Sequence, residues 1–432
     1  MRRYRFPMQA GIIVLLLAGS ASVQGEDWPD WRGPRRDGTW SAPPIRHPFF
    51  PPDQGIVWRK SVGPGYAGIS VVGNNLYVMD RIPKAGPEPD GQERLLCLST
   101  LTGKTLWSHT HDAHYGSLDY ASGPRASPAV VNGIVYTLGA VGTACALDAS
   151  TGRVIWQRDF RQQEGAIIPT WGLAATPLLI QQQVILHVGI PKGSIVSLDA
   201  RTGKENWRSI HEPAGYATPI LIKAPFGSQL IVWTPEQVHG IDPDGGQIDW
   251  SIPYKVTYGV SIATPIYHEG IVFVSGYWEG SKAIEIGPAR NQAKILYEEN
   301  RWLRGLMAPP LQAAGDTFLL DKKHGLTCFD IRTGKKKWDD DHTMTPAGTN
   351  PQASFVWTGR GREVLAFNAD GDLIRAEWNE EGCHELDRVH LIEPAPPSQT
   401  LWAHPAFAGD SIYVRSDREI LRYRLTPEKR DP

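Results

Sequence analysis

Cysteine and methionine are scarce, with four and five copies in 432 residues. Cys97, Cys145, Cys328 and Cys383 stand far apart, and no two are adjacent. No disulfide framework and no paired-cysteine metal motif is therefore implied. Neither sign of charge is in marked excess, with 44 basic against 46 acidic residues, so nothing draws the chain generally to nucleic acid or to an anionic membrane. No apolar run approaches the ~20 residues of a spanning helix. Nucleophile elbows, Gly-rich phosphate loops and zincin helices are missing too, which removes the common hydrolase, nucleotide-binding and metalloprotease readings.

What is abundant is punctuation: 44 Gly, 35 Pro and 16 Trp. Short apolar runs between Gly/Pro turns are the profile of an all-β chain. The first residues stand apart from it. Arg2, Arg3 and Arg5 precede an apolar stretch at 12–18, and small residues follow up to Gly25. This predicts a signal peptide over 1–25 and an exported protein, periplasmic or secreted. No cysteine lies there for a lipid anchor, and no membrane span is expected. Its removal takes away three arginines and no acid, leaving 41 basic and 46 acidic residues.

Five segments superimpose without a gap: 99–107, 148–156, 199–207, 242–250 and 330–338. Each begins with Asp or Ser, has Gly at its fifth position, and ends on Trp107, Trp156, Trp207, Trp250 or Trp338. A short polar side chain satisfies loose backbone N–H groups, and Gly accepts a positive φ, so each reads as a hairpin entering a strand. Upstream strands recur at 76–79, 134–137, 184–187, 230–233, 271–274, 317–320, 364–367 and 411–414, which makes eight units. Pro128, Pro177, Pro219, Pro265, Pro309 and Pro405 stand near the start of the first strand of a unit, and are expected on exposed innermost edge strands. From Trp58 the aromatic recurs after 49, 49, 51 and 43 residues, then as Tyr297 and Trp338; near Leu386 it is lost.

Four strands per 40–50 residues is the sign of a β-propeller. Residues 404–425 supply three strands without an outer one, and the segment around Trp58 supplies an outer strand alone. The expected fold is thus an eight-bladed β-propeller of four-stranded antiparallel blades over 56–425. Pairing of the N- and C-terminal strands closes it and leaves no open edge. Residues 26–55 form a Trp/Arg/Gly/Pro extension packing on the ring, and 426–432 a tail. Trp58, Trp107, Trp156, Trp207, Trp250 and Trp338 are read as structural wedges between blades.

The repeated Asp/Ser-x-x-Thr-Gly-Lys/Arg-x-x-Trp pattern resembles the PQQ-like repeat family. That family includes the propeller of quinoprotein alcohol dehydrogenases and the BamB component of the outer-membrane protein assembly machinery. The segment from Trp28 to Gly38 also resembles an N-terminal element of secreted PQQ-like repeat proteins of unassigned function. For a quinoprotein dehydrogenase the resemblance implies PQQ stacked on a Trp beneath a vicinal Cys-Cys disulfide, Ca²⁺ on carboxylate and amide oxygens, and an Asp base. The missing Cys-Cys pair speaks against that, and no catalytic set is assigned.

Loops entering the innermost strands converge on one mouth of the channel. They carry Tyr66, Arg125, Trp171, Tyr216, Tyr258, Trp302, Arg304 and Trp402. These aromatic faces and cations could hold a planar anionic cofactor, a sugar or a peptide, or simply plug the channel. His109, His111 and His114 form the only metal-like cluster, although histidines at a strand end are commonly solvated. Asn368, Asp370 and Asp372 lack the spacing of a calcium loop, and Asp370-Gly371 reads as a type I′ hairpin. The function expected is a non-enzymatic binding or assembly scaffold of the cell envelope, monomeric, with an envelope or secreted protein partner. The alternatives are a quinoprotein-like oxidoreductase with a diverged PQQ and Ca²⁺ site, or a carbohydrate-binding propeller.

Overall fold

The structure, a computed structural model, describes residues 25–427 apart from 85–89, 117, 121, 314, 346, 349 and 351. The expected signal peptide, Gly25 aside, and most of the expected C-terminal tail lie outside the described residues.

Among the described residues, thirty-two strands form eight four-stranded antiparallel sheets. Blades 1 to 7 span residues 69–114, 129–159, 178–209, 220–253, 266–299, 311–339 and 353–390. Blade 8 takes three strands from 406–424 and its outermost strand from Ile56–Ser61. That closing strand pairs Ile56 with Tyr423, Trp58 with Arg422 and Ser61 with Glu419. Helix among the described residues is limited to three short turns, Pro52–Gly55, Phe160–Glu164 and Thr257–Gly259.

The repeat explains how neighbouring blades lock. In the hairpin of blade 2, Asp148 Oδ1 accepts the N–H groups of Ser150 (3.0 Å) and Thr151 (2.9 Å). Gly203, in the matching hairpin of blade 3, has φ +69°, and a Cβ there would stand 2.8 Å from the ring of Trp156 in blade 2. The glycine thus serves two needs, a left-handed turn and room for the preceding blade's Trp. The indole then donates across the seam: Trp58 Nε1 to Thr100 O (2.8 Å), Trp107 to Ala149 O (3.1 Å), Trp156 to Ala200 O (2.9 Å), Trp207 to Pro243 O (3.2 Å) and Trp338 to Asn379 O (2.8 Å). Tyr297 makes the same contact through its hydroxyl, to Ile331 O (2.9 Å). Trp250 departs from the pattern. Its Nε1 donates to Gln229 Oε1 in its own blade (2.9 Å), because the next hairpin, around Gly287, lacks the motif.

Gly203→Ala is expected to cost about 2 kcal/mol, from the left-handed backbone and the clash with Trp156. Gly73→Ala, also at positive φ but with nothing within 4 Å of the added Cβ, is expected to cost about 1 kcal/mol. Equal losses in urea unfolding of the two variants would remove the second role of the glycine.

Two expectations are corrected. The innermost strands are edge strands but not exposed: Ala129, Leu178, Leu311 and Ala406 are all buried. The reason is the segment from Gly25 to Pro43, which fills the channel. Trp28 exchanges backbone hydrogen bonds with Val71, and Pro29 O accepts from Val130 N–H. Arg32 Nη2 donates to Pro310 O (2.7 Å), Arg36 Nη2 to Pro177 O (2.6 Å), and Trp40 N–H to Trp357 O (2.8 Å). At these points the segment supplies partners to the inner-strand edges. At the 368–372 hairpin only Gly371 has positive φ (+87°), while Asp370 and Asp372 N–H both donate to Asn368 Oδ1. It is a longer Asx-stabilised turn with a left-handed Gly rather than type I′.

Candidate functional site

In an antiparallel blade the loop entering strand one and the loop between strands two and three lie at the same end. These loops enclose a cavity of about 660 Å³ at one mouth of the channel. Of the residues expected there, the structure brings Tyr66, Arg125, Trp171, Tyr216, Tyr258 and Trp402 to its wall. Trp31, from the segment filling the channel, closes the inner end, its ring 4.0 Å from that of His404.

The rings form neighbouring pairs around the opening. Tyr66 and Tyr120 flank Trp402, with centroids 5.8 and 5.3 Å away. Trp171 lies 5.6 Å from Tyr216, and Tyr258 meets Trp278 edge-on at 5.4 Å. Tyr258 is 75% exposed at the rim, whereas Tyr216 is 6% exposed, and burial pushes its hydroxyl up to about 12. Burial likewise holds His404 down to about 3, so that ring is neutral.

Arg304 and Trp302 do not line the cavity. Arg304 is buried in a two-pronged ion pair with Asp321, Nε–Oδ2 3.1 Å and Nη2–Oδ1 3.1 Å. Trp302 lies at the seam between blades 5 and 6, packed with Phe273 and Phe329 and covered by the Arg301 guanidinium at 4.3 Å. From the segment after strand Ala293–Glu299, Leu306 and Met307 reach the cavity wall instead. Arg125, the one arginine at the wall among the described residues, is committed to backbone carbonyls. Nε donates to Trp171 O (2.7 Å), Nη2 to Tyr120 O (2.7 Å) and Asp119 O (3.0 Å), and Nη1 to Gly123 O.

Sequence reasoning missed Tyr120, Trp278 and Gln352. Trp278 sits in the turn between strands two and three of blade 5, and the parity of an antiparallel blade would have placed it at the mouth. Gln352 is 2% exposed and lines the cavity, and its Oε1 has no hydrogen-bond partner among the described residues. An unsatisfied buried acceptor beside a cavity is positioned to receive a donor.

The histidine cluster is rearranged. His114 is bonded through Nδ1 to Asp90 at the exposed strand end, apart from the others. His109 and His111 instead face Cys145 of blade 2. All four cysteines are free thiols.

Residues 91–304 match the family described as "Outer membrane protein assembly factor BamB". BamB of Yersinia pestis is 21% identical over 299 residues, 67% of this chain and 72% of that protein. The quinoprotein alcohol dehydrogenase PedH of Pseudomonas putida is 25% identical over 197 residues, 43% of this chain but only 30% of its own length. The chain therefore spans less than a third of that dehydrogenase. Among solved structures, BamB of Moraxella catarrhalis superimposes with a TM-score of 0.57 at 15% identity, covering 86% of this chain and 98% of that one. The quinohemoprotein alcohol dehydrogenase of Comamonas testosteroni gives 0.63 at 14% identity, over 94% and 81%. At such identities the superpositions speak to fold alone. Over residues 91–304 the chain thus matches the BamB family model, and it shares the eight-bladed fold of the PQQ-like repeat propellers.

Proposed function

We propose that the protein is a non-enzymatic binding propeller of the cell envelope or secreted space, which takes an uncharged ligand with flat apolar faces and peripheral hydroxyls, a saccharide, at its aromatic mouth. The observation that carries this reading is the wall itself. Tyr66, Tyr120, Trp171, Tyr258, Trp278 and Trp402 offer ring faces, and Gln352 Oε1 offers a buried acceptor without a donor among the described residues. C–H faces of a sugar pack on aromatic rings, while its hydroxyls can donate to such an acceptor. Export follows the basic and apolar pattern of the first 25 residues.

The quinone cofactor of the dehydrogenase relatives does not fit this donor set. PQQ carries carboxylates, and the arginine beside the cavity already has all three guanidinium nitrogens on backbone carbonyls. Among the described residues Asp119 is the only carboxylate lining the cavity, with Asn350 and Gln352 the only amides, fewer side-chain oxygens than the roughly six to eight that Ca²⁺ takes. The four thiols are free, so no vicinal disulfide covers it.

Titration of tryptophan fluorescence with a panel of neutral oligosaccharides should give a saturable change. Trp402→Ala and Trp171→Ala should each weaken it about tenfold, a stacking loss near 1.4 kcal/mol. Saturable quenching by PQQ with Ca²⁺, together with dye reduction in the presence of an alcohol, would overturn the proposal in favour of an oxidoreductase.

A further inference from the structure

The outermost strand of blade 1, Thr105–His114, alternates its side chains, so Trp107, His109 and His111 share the face turned to blade 2. Trp107 completes the ordinary seam with Ala149. Beyond it the seam changes character. His109, His111 and Cys145, the last on strand Thr143–Asp148, each bring one nitrogen or sulfur atom within 4.8 Å of the other two.

Three further features mark a built site rather than a chance approach. His109 Nε2 is buried and has no hydrogen-bond partner among the described residues. The His111 ring is 8% exposed and held by Glu93, Nε2–Oε2 3.1 Å. Glu93 is completely buried, and its Oε1 is fixed by Tyr115 Oη (2.7 Å) and the Ala140 N–H (2.9 Å). Gly139 leaves the room this needs, since a Cβ there would lie 2.0 Å from Glu93 Oε2.

We infer that His109, His111 and Cys145 bind one thiophilic cation, Zn²⁺ or Cu⁺, at the seam between blades 1 and 2. Two imidazole nitrogens and a thiolate are the donors such ions prefer over hard cations. Glu93 stands behind His111 as the carboxylate that orients a ligating imidazole. For a divalent ion, the thiolate and Glu93 balance the charge within the buried seam. His109 is only partly buried on the outermost strand, so the cation has a route in from the rim. Binding releases the Cys145 proton to solvent and involves no change of oxidation state. Without a cation, burial pushes this thiol up to about 12 and keeps it protonated.

The test uses the purified full chain, reduced and stripped of metal. Co²⁺, as a coloured substitute for Zn²⁺, is titrated and then displaced by Zn²⁺; Cu⁺ is titrated anaerobically against a chromogenic chelator. A single equivalent is expected, with a thiolate-to-cobalt charge-transfer band. Cys145→Ala should abolish the band, His114→Ala should leave it intact, and Glu93→Gln should weaken affinity about 10- to 100-fold. His109→Gln, on the rim strand, serves as a second variant should Cys145→Ala or Glu93→Gln fail to fold, and should also weaken binding. Tight binding of either cation that depends on Cys145 or His109 supports the site. Absence of binding by both cations, or binding unchanged in folded Cys145→Ala and His109→Gln chains, overturns it.

Discussion

Trp156→Ala is expected to lower unfolding stability by about 3–5 kcal/mol. The ring is 8% exposed, packs beneath Gly203 of the next blade, and donates to Ala200 O. Its loss empties a seam that cannot close, because both blades are held by their own hydrogen-bond ladders. Tyr136 also donates to Ala200 O, at 3.2 Å, so that carbonyl keeps one partner and most of the loss is packing rather than hydrogen bonding. Trp156→Phe should therefore recover the larger share. Urea unfolding followed by circular dichroism gives the comparison. A loss below about 1 kcal/mol in the alanine variant would mean that the wedges are dispensable.

Acid should destabilise the ring before most of its carboxylates are protonated, although Asp30, which burial raises to about 6, takes up a proton in the same interval and offsets part of the loss. Burial depresses His187 to about 4 and His404 to about 3, from an ordinary 6.5. His187 Nε2 accepts the Gly215 N–H at 3.1 Å, which requires the neutral ring, and His404 lies against Trp31 with Arg32 nearby. The unfolded chain protonates both below about 6.5 while the folded chain does not, so protons favour unfolding. The stability these neutral rings contribute is complete above about 6.5 and is lost progressively as pH falls toward about 4 and 3. At about pH 5 the expected cost is roughly 2 kcal/mol for each histidine. Denaturation midpoints recorded from about pH 7.5 to about pH 5 check this, and His187→Gln and His404→Gln should each flatten the slope. Stability that is constant or rising over that interval would contradict the burial of neutral rings.

Legibility followed periodicity. Trp107, Trp156, Trp207 and Trp338 lie at blade seams because each belongs to a local hairpin whose spacing repeats, and the closure through Trp58 follows from counting strands. Tyr66, Arg125, Trp171, Tyr216, Tyr258 and Trp402 come together at the mouth because they precede innermost strands, a position that the prolines mark. Trp302 and Arg304 hold the same nominal position but not the place, since Asp321 and the Phe273–Phe329 seam offered them better partners. Cys145 is 34 residues from His111 and carries no pattern of its own. Its proximity arises only when blade 2 is laid on blade 1.

The amino-acid sequence alone determined the number of blades, the strand order within each and the way the ring closes, because strand alternation, turn chemistry and a recurring wedge all act over a few tens of residues. Only the tertiary structure decided that residues 25–43 fill the channel, that Arg125 is occupied by backbone carbonyls while Gln352 Oε1 finds no donor among the described residues, and that a cysteine joins two histidines in a seam. Those outcomes depend on irregular loops and on side chains from different blades competing for the same partners, and no period in the chain encodes that competition.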